Sequence, residues 1–443
     1  MSRRIVMAFL ATVVVIVCGS KLVSATETWQ QFRGPRGDGR AASDSVTMDL
    51  NASTNLRWRL QTPGTGWSSP VLHGDMIWIT AAETTAATRE QIAAKLANVQ
   101  FAQIKGVVAS ATLRVLGVDA NTGRLIVNRV LANVNDPGPI HPMNGFASPT
   151  PAVAGDKVIC HFGQYGTFCL DAGSGETLWT QTLPCDDSVG PGSSPVVVGD
   201  NVIITCDGID QQYVAALSLA DGTLAWRTSR PPMRTSNVEF QKAYCTPTIV
   251  DVDGQTQVII TGAQWCVAYD PMSGKEIWRF DHGSGFSVAT MALPVGDVVV
   301  FSSGYTSPEL FAIEPTGQGN VTSTHLRWRM ARNVPTKPSL ASDGKLLYVI
   351  SDDGILSAVS VIDGSQVYRQ RIGGMFSSSP FISGDRVLIG NHEGEVTVFQ
   401  TGSQYHQVAR FDLGDQIMAS PVPVGDDLLI RTKAELMRFG PSR

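Results

Sequence analysis

The chain lacks the residue patterns that hold zinc and haem in proteins. It has no C-x-x-C pair, no H-x-x-x-H pair and no C-x-x-C-H haem-attachment motif, and no two of its cysteines are adjacent. Zinc sites draw cysteines and histidines from such short spacings. We therefore expect no zinc site.

The chain also lacks an excess of positive charge. Its 34 basic residues stand against 39 acidic ones, for a formal net charge of −5. Nucleic-acid binding depends on basic side chains that pair with phosphates. We therefore expect no nucleic-acid partner.

A hydrophobic run long enough to cross a bilayer comfortably is missing too. The apolar run Ile5–Cys18 follows Arg3 and Arg4, and Val23-Ser24-Ala25 offers small residues for cleavage. This pattern predicts a signal peptide over residues 1–25 and export to the periplasm or cell envelope. The alternative is a retained anchor.

One pattern recurs along the chain: an apolar strand, a turn with Asp and Gly, and a second strand that ends in Trp. Asp suits the start of a tight turn and Gly supplies the positive φ near its end, so the pattern predicts a β-hairpin. The clearest copies are VAYDPMSGKEIW from Val267, FCLDAGSGETLW from Phe168 and AALSLADGTLAW from Ala215, and weaker copies begin at Leu116, Phe311 and Ser357.

A second pattern has the same period: small residues before Pro, a short apolar strand, Gly-Asp, and another apolar strand. Clear copies begin at Ser68, Ser193, Ser378 and Ala419, and looser ones at Ala147, Cys245, Thr290 and Lys337. Eight copies of this pattern, together with six of the first, indicate an array of four-stranded units.

The two ends of the chain show how the array closes. The last unit has three strands, around 420–424, 427–431 and 435–439, whereas NLRWRL from Asn55 matches HLRWRM from His325, a fourth strand. The N-terminal strand can therefore complete the last sheet and protect its edge. We predict an all-β fold: an eight-bladed β-propeller of four-stranded antiparallel blades, closed by this strand. Small residues on the innermost strands suit the crowding of sheets at the axis.

The A-x-D-x-x-[ST]-G-x-x-x-W repeat resembles that of the quinoprotein (PQQ-type) eight-bladed propellers, a superfamily that includes the outer-membrane assembly factor BamB. The resemblance implies the fold, while a shared scaffold does not carry its sites along. In that family the Trp of the outer strand docks between neighbouring blades. The resemblance gives this role to Trp58, Trp179, Trp226, Trp278 and Trp328. Blades 1, 6 and 7 lack such a Trp, so we expect weaker docking there.

A segment ahead of the propeller departs from the repeat. We expect residues 26–54 to form an irregular N-terminal arm laid over the ring, anchored by Trp29 and Phe32, with a disordered leader as the alternative. The propeller then takes residues 55–443. The arm sequence TWQQFRGPRGDGR, together with GWSSPVLHGD and NGFASPTP, resembles exported quinoprotein-like propellers of planctomycetes.

Blade 1 contains an insertion of about thirty residues, 81–112. Within it, 89–104 is predicted to be a helix with Ile92, Leu96 and Val99 toward one side. Strand order puts the insertion on the face that carries the loops between blades. We expect it to cap the mouth of the channel.

Six cysteines follow the predicted cleavage site: Cys160, Cys169, Cys185, Cys206, Cys245 and Cys266. An even number in an exported chain favours disulfides, although many pairings are possible. Cys160 and Cys169 flank a predicted hairpin and would face each other across its strands. The alternative is a pair of buried free thiols.

Ligands of propellers usually meet the loops between blades and the loops between the second and third strands. Polar residues of such loops here are His141, Asn144, Asp207, Asp210, Gln211, Glu239, Gln241 and His282. If Asp207, Glu239, His141 and His282 converge around the axis, they would bind a cation or a polar ligand. The alternative is that these are solvated loop residues and turn caps.

The resemblance to quinoproteins raises the question of catalysis. Their dehydrogenases bind PQQ between a Trp and a ring formed by two adjacent cysteines, with calcium held by Glu and Asn and an Asp as base. This chain has no adjacent cysteine pair and no residue-by-residue match for those calcium ligands or that base. We therefore assign no catalytic residue and no metal ligand, and we expect no cofactor.

The sequence favours an exported, non-catalytic scaffold that binds a protein or polymer of the cell envelope through its loop-rich face. We expect a monomer that is peripheral to the membrane at most. One alternative is a PQQ-dependent oxidoreductase of alcohols or sugars, which would need PQQ with calcium. A third hypothesis is an enzyme or sensor that acts on a carbohydrate or another small ligand.

Overall fold

The computed structural model describes residues 28–441, and its sheets form the eight blades of a β-propeller. The predicted fold class is confirmed. The predicted signal peptide, residues 1–25, lies outside the described residues. Between residues 28 and 441, no helix has the length and apolar character that crossing a membrane requires.

The blades follow one another along the chain, each from its innermost to its outermost strand. In blades 1 to 4 the strands are Val71–His73, Met76–Ala86, Val108–Asp119 and Leu125–Asn135; Ala152–Ala154, Lys157–His161, Thr167–Asp171 and Thr177–Gln181; Val196–Val198, Asn201–Asp207, Gln212–Ser218 and Leu224–Ser229; and Thr248–Val252, Gln255–Thr261, Trp265–Tyr269 and Glu276–Asp281. In blades 5 to 8 they are Leu293–Val295, Val298–Ser302, Leu310–Ile313 and Leu326–Met330; Ala341–Ser342, Leu346–Ile350, Ile355–Ser360 and Gln366–Arg371; Phe381–Ser383, Arg386–Gly390, Glu395–Gln400 and Gln407–Asp412; and Val422–Val424, Asp427–Arg431, Glu435–Phe439 and Leu56–Gln61.

A short additional strand and four helical elements complete the described secondary structure. The strand Gly319–Asn320 pairs in parallel with the outer strand of blade 4. The helices are the α-helix Arg89–Leu96 and the 3₁₀ helices Ala102–Ile104, Gly163–Tyr165 and Val238–Phe240.

The N-terminal strand Leu56–Gln61 closes the ring. It pairs antiparallel with Glu435–Phe439, and Trp58 lies opposite Arg438 in this register. Blade 8 thus takes three strands from the end of the chain and one from its beginning, as the sequence predicts. The pairing covers an edge that blade 8 would otherwise expose.

The turn between the third and fourth strands explains why Asp and Gly recur. In blade 4, Asp270 Oδ1 accepts hydrogen bonds from the backbone N–H groups of Met272 (3.1 Å) and Ser273 (2.8 Å). Gly274 follows at a φ of 69°, which favours glycine. A Cβ at Gly274 would also collide with the ring of Trp226 in blade 3. The turn therefore needs its Gly for both conformation and space.

The Trp of the preceding blade packs in the space that the turn glycine leaves. The indole N–H of Trp226 donates to the Pro271 carbonyl of blade 4 at 3.1 Å. Four further indoles donate to a carbonyl of the next blade: Trp58 to Ala120 (2.8 Å), Trp179 to Leu219 (3.1 Å), Trp278 to Pro315 (3.0 Å) and Trp328 to Val361 (2.9 Å). In the corresponding register, blades 1, 6 and 7 have Val127, Tyr368 and Ala409.

A ring of hydroxyl groups, which we call the hydroxyl ring, ties the innermost strands together. The backbone N–H of Ser69 in blade 1 donates to Thr150 Oγ1 in blade 2 at 2.9 Å. The same link joins Thr150 to Ser194, Ser194 to Thr246, Ser339 to Ser379, Ser379 to Ser420 and Ser420 to Ser69, at 2.9 to 3.0 Å. In blade 5, Met291 takes the hydroxyl position; its N–H donates to Ser339 Oγ at 2.9 Å. The small residues before Pro thus bond neighbouring blades as well as saving space.

The N-terminal arm enters the channel beside the innermost strands. The carbonyl of Trp29 accepts from Leu72 N–H in blade 1 (2.9 Å), and that of Gln30 accepts from Val153 N–H in blade 2 (2.7 Å). Arg33 reaches across and donates to the carbonyl of Leu340, before the innermost strand of blade 6. Burial lowers the pKa of Arg33 to about 10. The arm therefore bridges opposite sides of the ring.

The insertion in blade 1 is shorter and less helical than the sequence suggested. The long strands Met76–Ala86 and Val108–Asp119 continue into the predicted segment 81–112, because they pair along their whole length. The α-helix ends at Leu96 rather than near Ile104. It has no buried residue, so its apolar side chains do not pack as a core stripe.

The expected pairing of Cys160 with Cys169 is wrong. Cys160 lies opposite Phe168 and Cys169 opposite Ile159. Since successive side chains of a strand point to opposite faces, this one-residue offset sends the two thiols to different sides of blade 2. All six cysteines of the described chain are buried and free.

Candidate functional site

A cavity of about 430 Å³ lies at the mouth of the channel on the loop face. Phe32 of the N-terminal arm lines it on the channel side, and the insertion of blade 1 contributes Phe101 and Ile104. Loops from several blades supply the rest of its wall. The arm narrows the channel beneath it, so the cavity is open toward the loop face.

Aromatic rings form one wall of this cavity. Phe101 stacks on Phe240 at a ring-centroid distance of 6.2 Å, Phe240 contacts Phe286 at 4.6 Å, and Phe286 contacts Tyr305 at 6.4 Å. Phe101 and Tyr305 at the ends of this aromatic wall are 37% and 39% exposed. Apolar rings left accessible in a concave site are typical of ligand and partner binding.

A buried ionic cluster holds the insertion over the cavity. Lys105 Nζ lies 2.7 Å from Glu239 Oε1 and 3.0 Å from Ser188 Oγ, although Lys105 and Glu239 are 134 residues apart in the chain. Lys242 Nζ binds the other carboxylate oxygen of Glu239. Burial would raise the pKa of Glu239, but hydrogen bonds from both lysines outweigh it and lower that pKa. Breaking such a buried pair leaves an uncompensated charge, so the cluster fixes the insertion in place.

The charged side chains that line the cavity are basic. They are Lys242 and Lys337. One histidine, His141, also lines the cavity. Lys337 Nζ lies 2.8 Å from Asp352 Oδ2 outside the lining. Burial lowers the pKa of His141, and the nearby Lys337 cation lowers it further. The cavity of this acidic chain therefore presents positive charge.

Two of the eight predicted ligand-binding residues, His141 and Asn144, line the cavity. Asn144 has a structural task there, since its Nδ2 donates to the carbonyls of Val189 (3.0 Å) and Pro191 (3.2 Å). Glu239 lies next to the cavity and is bound within the ionic cluster. His141 also lines the cavity, and its Nδ1 accepts a hydrogen bond from the backbone N–H of Met143 at 3.1 Å.

The expected convergence of His141, Asp207, Glu239 and His282 is not found. Asp207 is buried against Arg230, with Oδ1 3.2 Å from Nε, and burial raises the pKa of Asp207. His282 is buried with Nε2 2.9 Å from the Gly262 carbonyl, and burial lowers its pKa to about 4. Within residues 28–441, no group of three or more His, Cys, Asp or Glu side chains is placed to hold a metal ion. Asp207 and His282 are therefore buried side chains that stabilise the loops.

The remaining three predicted residues lie outside the cavity lining and serve the local loop structure. Asp210 Oδ1 accepts from the Asp186 N–H at 2.7 Å. Gln211 Oε1 accepts from Arg227 Nη2. Gln241 Nε2 donates to the Thr235 carbonyl at 2.7 Å.

Sequence reasoning missed the aromatic wall, Lys337 and the hydroxyl ring. The signal for Phe240 was present, because it stands between Glu239 and Gln241, which we selected for their polarity. The signal for the hydroxyl ring was the recurrence of Ser or Thr before Pro, which we explained by size alone.

The cavity does not fit the PQQ and calcium set of quinoprotein dehydrogenases. Calcium requires several oxygen ligands, carboxylates among them, whereas the charged groups here are lysines. The cysteines of the described chain are single and buried. We derive no chemical step through that cofactor.

Comparison with known proteins supports a family assignment. A family model described as "Outer membrane protein assembly factor BamB" matches residues 94–265 and 262–437. Two curated proteins of that name, from Alkalilimnicola ehrlichii and Yersinia pestis, are each 25% identical to this chain, over 242 and 264 residues. The matches cover 54% and 58% of this chain and 48% and 62% of those relatives. The matched length is thus less than two thirds of each relative.

Solved structures share the architecture. BamB from Moraxella catarrhalis has a TM-score of 0.57 at 14% identity, covering 88% of this chain and 100% of that one. A europium-containing methanol dehydrogenase has a TM-score of 0.67 at 11% identity, covering 94% and 98%. Quinohemoprotein alcohol dehydrogenase from Comamonas testosteroni has a TM-score of 0.64 at 12% identity, covering 94% and 81%. At these identities the likeness establishes the fold alone.

The repeat, the ring closure and the family match over most of the propeller agree, and this chain therefore belongs to the BamB-type family of PQQ-like β-propellers.

Proposed function

We propose that this chain is a non-catalytic scaffold of the cell envelope that takes part in outer membrane protein assembly. Its family membership supports this role, since the matched relatives are named outer membrane protein assembly factors. The exported location inferred from residues 1–25 agrees with it. In this proposal the chain acts as a monomer and is peripheral to the membrane at most.

The observation that carries the proposal is the accessible aromatic wall on the loop face. Aromatic side chains such as Phe101 and Tyr305 supply large contact areas and dominate protein interfaces. The Glu239 cluster fixes the insertion that carries Phe101, so the surface is preformed and binding costs little ordering entropy. A preformed aromatic surface suits a protein partner.

A genetic experiment tests this role. Deletion of the gene in its own organism should lower the amount of folded outer membrane protein, and the natural chain should restore it. Phe240→Glu places a charge in the aromatic wall and should restore poorly. Ile362→Glu is the control, because Ile362 is 88% exposed on the opposite, hairpin-turn face. Unchanged protein levels on deletion, or equal restoration by both variants, would contradict the proposal.

A PQQ-dependent oxidoreductase is the alternative function, and a separate experiment tests it. The purified protein is incubated with PQQ and calcium, then assayed for retained quinone absorbance and for dye reduction with alcohols or sugars. We expect neither, because the lysine-lined cavity does not suit calcium. Stoichiometric retention with turnover would overturn the scaffold proposal.

A further inference from the structure

The hydroxyl ring forms part of the cavity wall. Six of its members line the cavity and are more than nine-tenths buried: Ser69, Thr150, Ser194, Thr246, Ser379 and Ser420. Each of these oxygens accepts one hydrogen bond from the backbone of the preceding blade.

The hydroxyl groups of these six residues have free donor capacity. Within the part of the chain that the structure describes, none of the six O–H groups donates a hydrogen bond to another protein atom. A buried donor is costly unless an acceptor meets it. The hydroxyl ring therefore offers several O–H donors to an acceptor placed near the axis.

The charge around the hydroxyl ring favours an anionic acceptor. Lys105 and Lys242 share a single carboxylate, that of Glu239, which leaves these three side chains with one net positive charge, with Asp186 nearby. Lys337 adds a second ammonium group at the cavity wall, and its partner Asp352 lies outside the lining. Hydrogen bonds from such donors to an anion are shorter and stronger than those between neutral groups.

The rest of the cavity wall favours a ligand in which a flat apolar group is attached to that anion. Phe240 and Phe286 present partly exposed rings 4.6 Å apart, and Phe32 lines the cavity on the channel side. An aromatic ring gains from offset or edge contacts with such side chains. A cavity of about 430 Å³ accepts a small molecule or the end of a chain.

We propose that this cavity binds an aromatic carboxylate. Its carboxylate accepts hydrogen bonds from the hydroxyl ring under the field of Lys242 and Lys337, and its ring packs on the aromatic wall. The same chemistry comes from a free small molecule or from the C-terminal aromatic residue of a polypeptide. This inference goes beyond the scaffold role, because it gives the cavity a ligand of its own.

Isothermal titration of the full mature chain with 3-phenylpropionate and with its uncharged amide tests the proposal. We expect the acid to bind at least about tenfold more tightly than the amide, since a charge-assisted contact is lost in the amide. Added salt should weaken the binding of the acid more than that of the amide. Measurable binding with equal affinities for the acid and the amide would overturn the proposal.

Two substitutions should move the affinity in opposite directions. Lys337→Gln removes a cation and should weaken binding of the acid several-fold, whereas Asp352→Asn removes the acid that neutralises Lys337 and should tighten it. Lys275→Gln, at an exposed hairpin turn on the opposite face, is the control and should change nothing. If Asp352→Asn fails to fold, Phe240→Ala replaces it and should weaken the acid and the amide alike. Affinities that follow no such pattern would overturn the proposal.

A short peptide that ends in Phe, with a free or an amidated C-terminus, distinguishes the two sources. Tight binding of the free peptide alone supports a chain end, and binding of 3-phenylpropionate without the peptide supports a small molecule. Binding of neither acid overturns the inference, but not the scaffold role if Ile362→Glu still restores outer membrane protein levels and Phe240→Glu does not.

Discussion

Two blade junctions are held together by different means. Between blades 4 and 5 the hydroxyl ring lacks a link, because Met291 stands where the other blades have Ser or Thr. The outer contact is strong instead: Trp278 is fully buried and its indole N–H lies 3.0 Å from both Pro315 O and Gln257 Oε1. The strand Gly319–Asn320 adds a further pairing there.

Between blades 6 and 7 the arrangement is reversed. The inner link is present, as Ser339 N–H donates to Ser379 Oγ at 3.0 Å. The outer position has Tyr368, whose Oη lacks a hydrogen-bond partner in the described chain. Its ring packs at 6.3 Å from that of Tyr405. Each of these two junctions therefore has only one of the two recurring contacts, the hydroxyl-ring link or the outer indole hydrogen bond.

The largest effect is expected from Trp278→Ala. It should lower the free energy of unfolding by about 3 to 5 kcal/mol, because it opens a large cavity at a junction where the hydroxyl ring lacks a link and the inner contact is the hydrogen bond from Thr248 Oγ1 to the Ala292 carbonyl at 2.8 Å. Denaturant unfolding measures this. Trp265→Ala in the same blade is the control and should cost less, since Trp265 is partly exposed. Equal losses would show that Trp278 does not carry the junction.

The second largest effect is expected from acid, which should weaken the same junction between blades 4 and 5. Burial lowers the pKa of His282 from 6.5 to about 4, so the unfolded chain takes up a proton before the folded one does. The stability contributed by neutral His282 is present above pH 6.5 and is lost as the pH falls toward 4, by on the order of 3 kcal/mol. His282→Gln should flatten this dependence, and exposed His406→Gln should not. An unchanged acid profile in His282→Gln would contradict the argument.

A smaller effect is expected at the inner link between blades 6 and 7. Ser379→Ala removes the acceptor of the Ser339 N–H and should cost about 1 to 3 kcal/mol, the range for leaving a buried donor unpaired. The measurement is again the free energy of unfolding. The matched change Ser43→Ala should cost less, because the half-buried Ser43 hydroxyl accepts from the Ser45 N–H at the surface of the arm. A loss no larger than that of Ser43→Ala would show that the link is dispensable.

The smallest effect should come from Tyr368→Phe. Since the buried hydroxyl makes no hydrogen bond with the described chain, its removal should leave stability within about 0.5 kcal/mol of the natural value or raise it. Thermal unfolding measures the change. A clear loss would mean that the hydroxyl has a partner that stabilises the junction.

The fold followed from the sequence because every blade repeats the same local chemistry. Asp270 and Gly274 define a turn through their own backbone requirements, and the match of the strand at Trp58 to a fourth strand predicted the closure. The pairing of Cys160 with Cys169 failed because a hairpin loop does not determine register to one residue. A shift of one residue reverses every side chain.

The candidate site was harder to predict, since it is assembled from distant segments. Lys105 and Glu239 meet only after the ring has closed. Polarity alone favours Asp207 and His282 as ligand-binding residues, but both are buried and stabilise the loops. The aromatic wall joins loops from several blades in the same way. Placement of this kind depends on tertiary structure rather than on local pattern.

Site-specific photo-crosslinking in cells tests the central claim most directly, that the loop face is the face that binds. With a photoreactive residue at Tyr305 on the loop face, we expect a cross-link to a protein of outer membrane protein assembly; at Ile362 on the hairpin-turn face we expect none. Cross-links from Ile362 and none from Tyr305 would contradict the account.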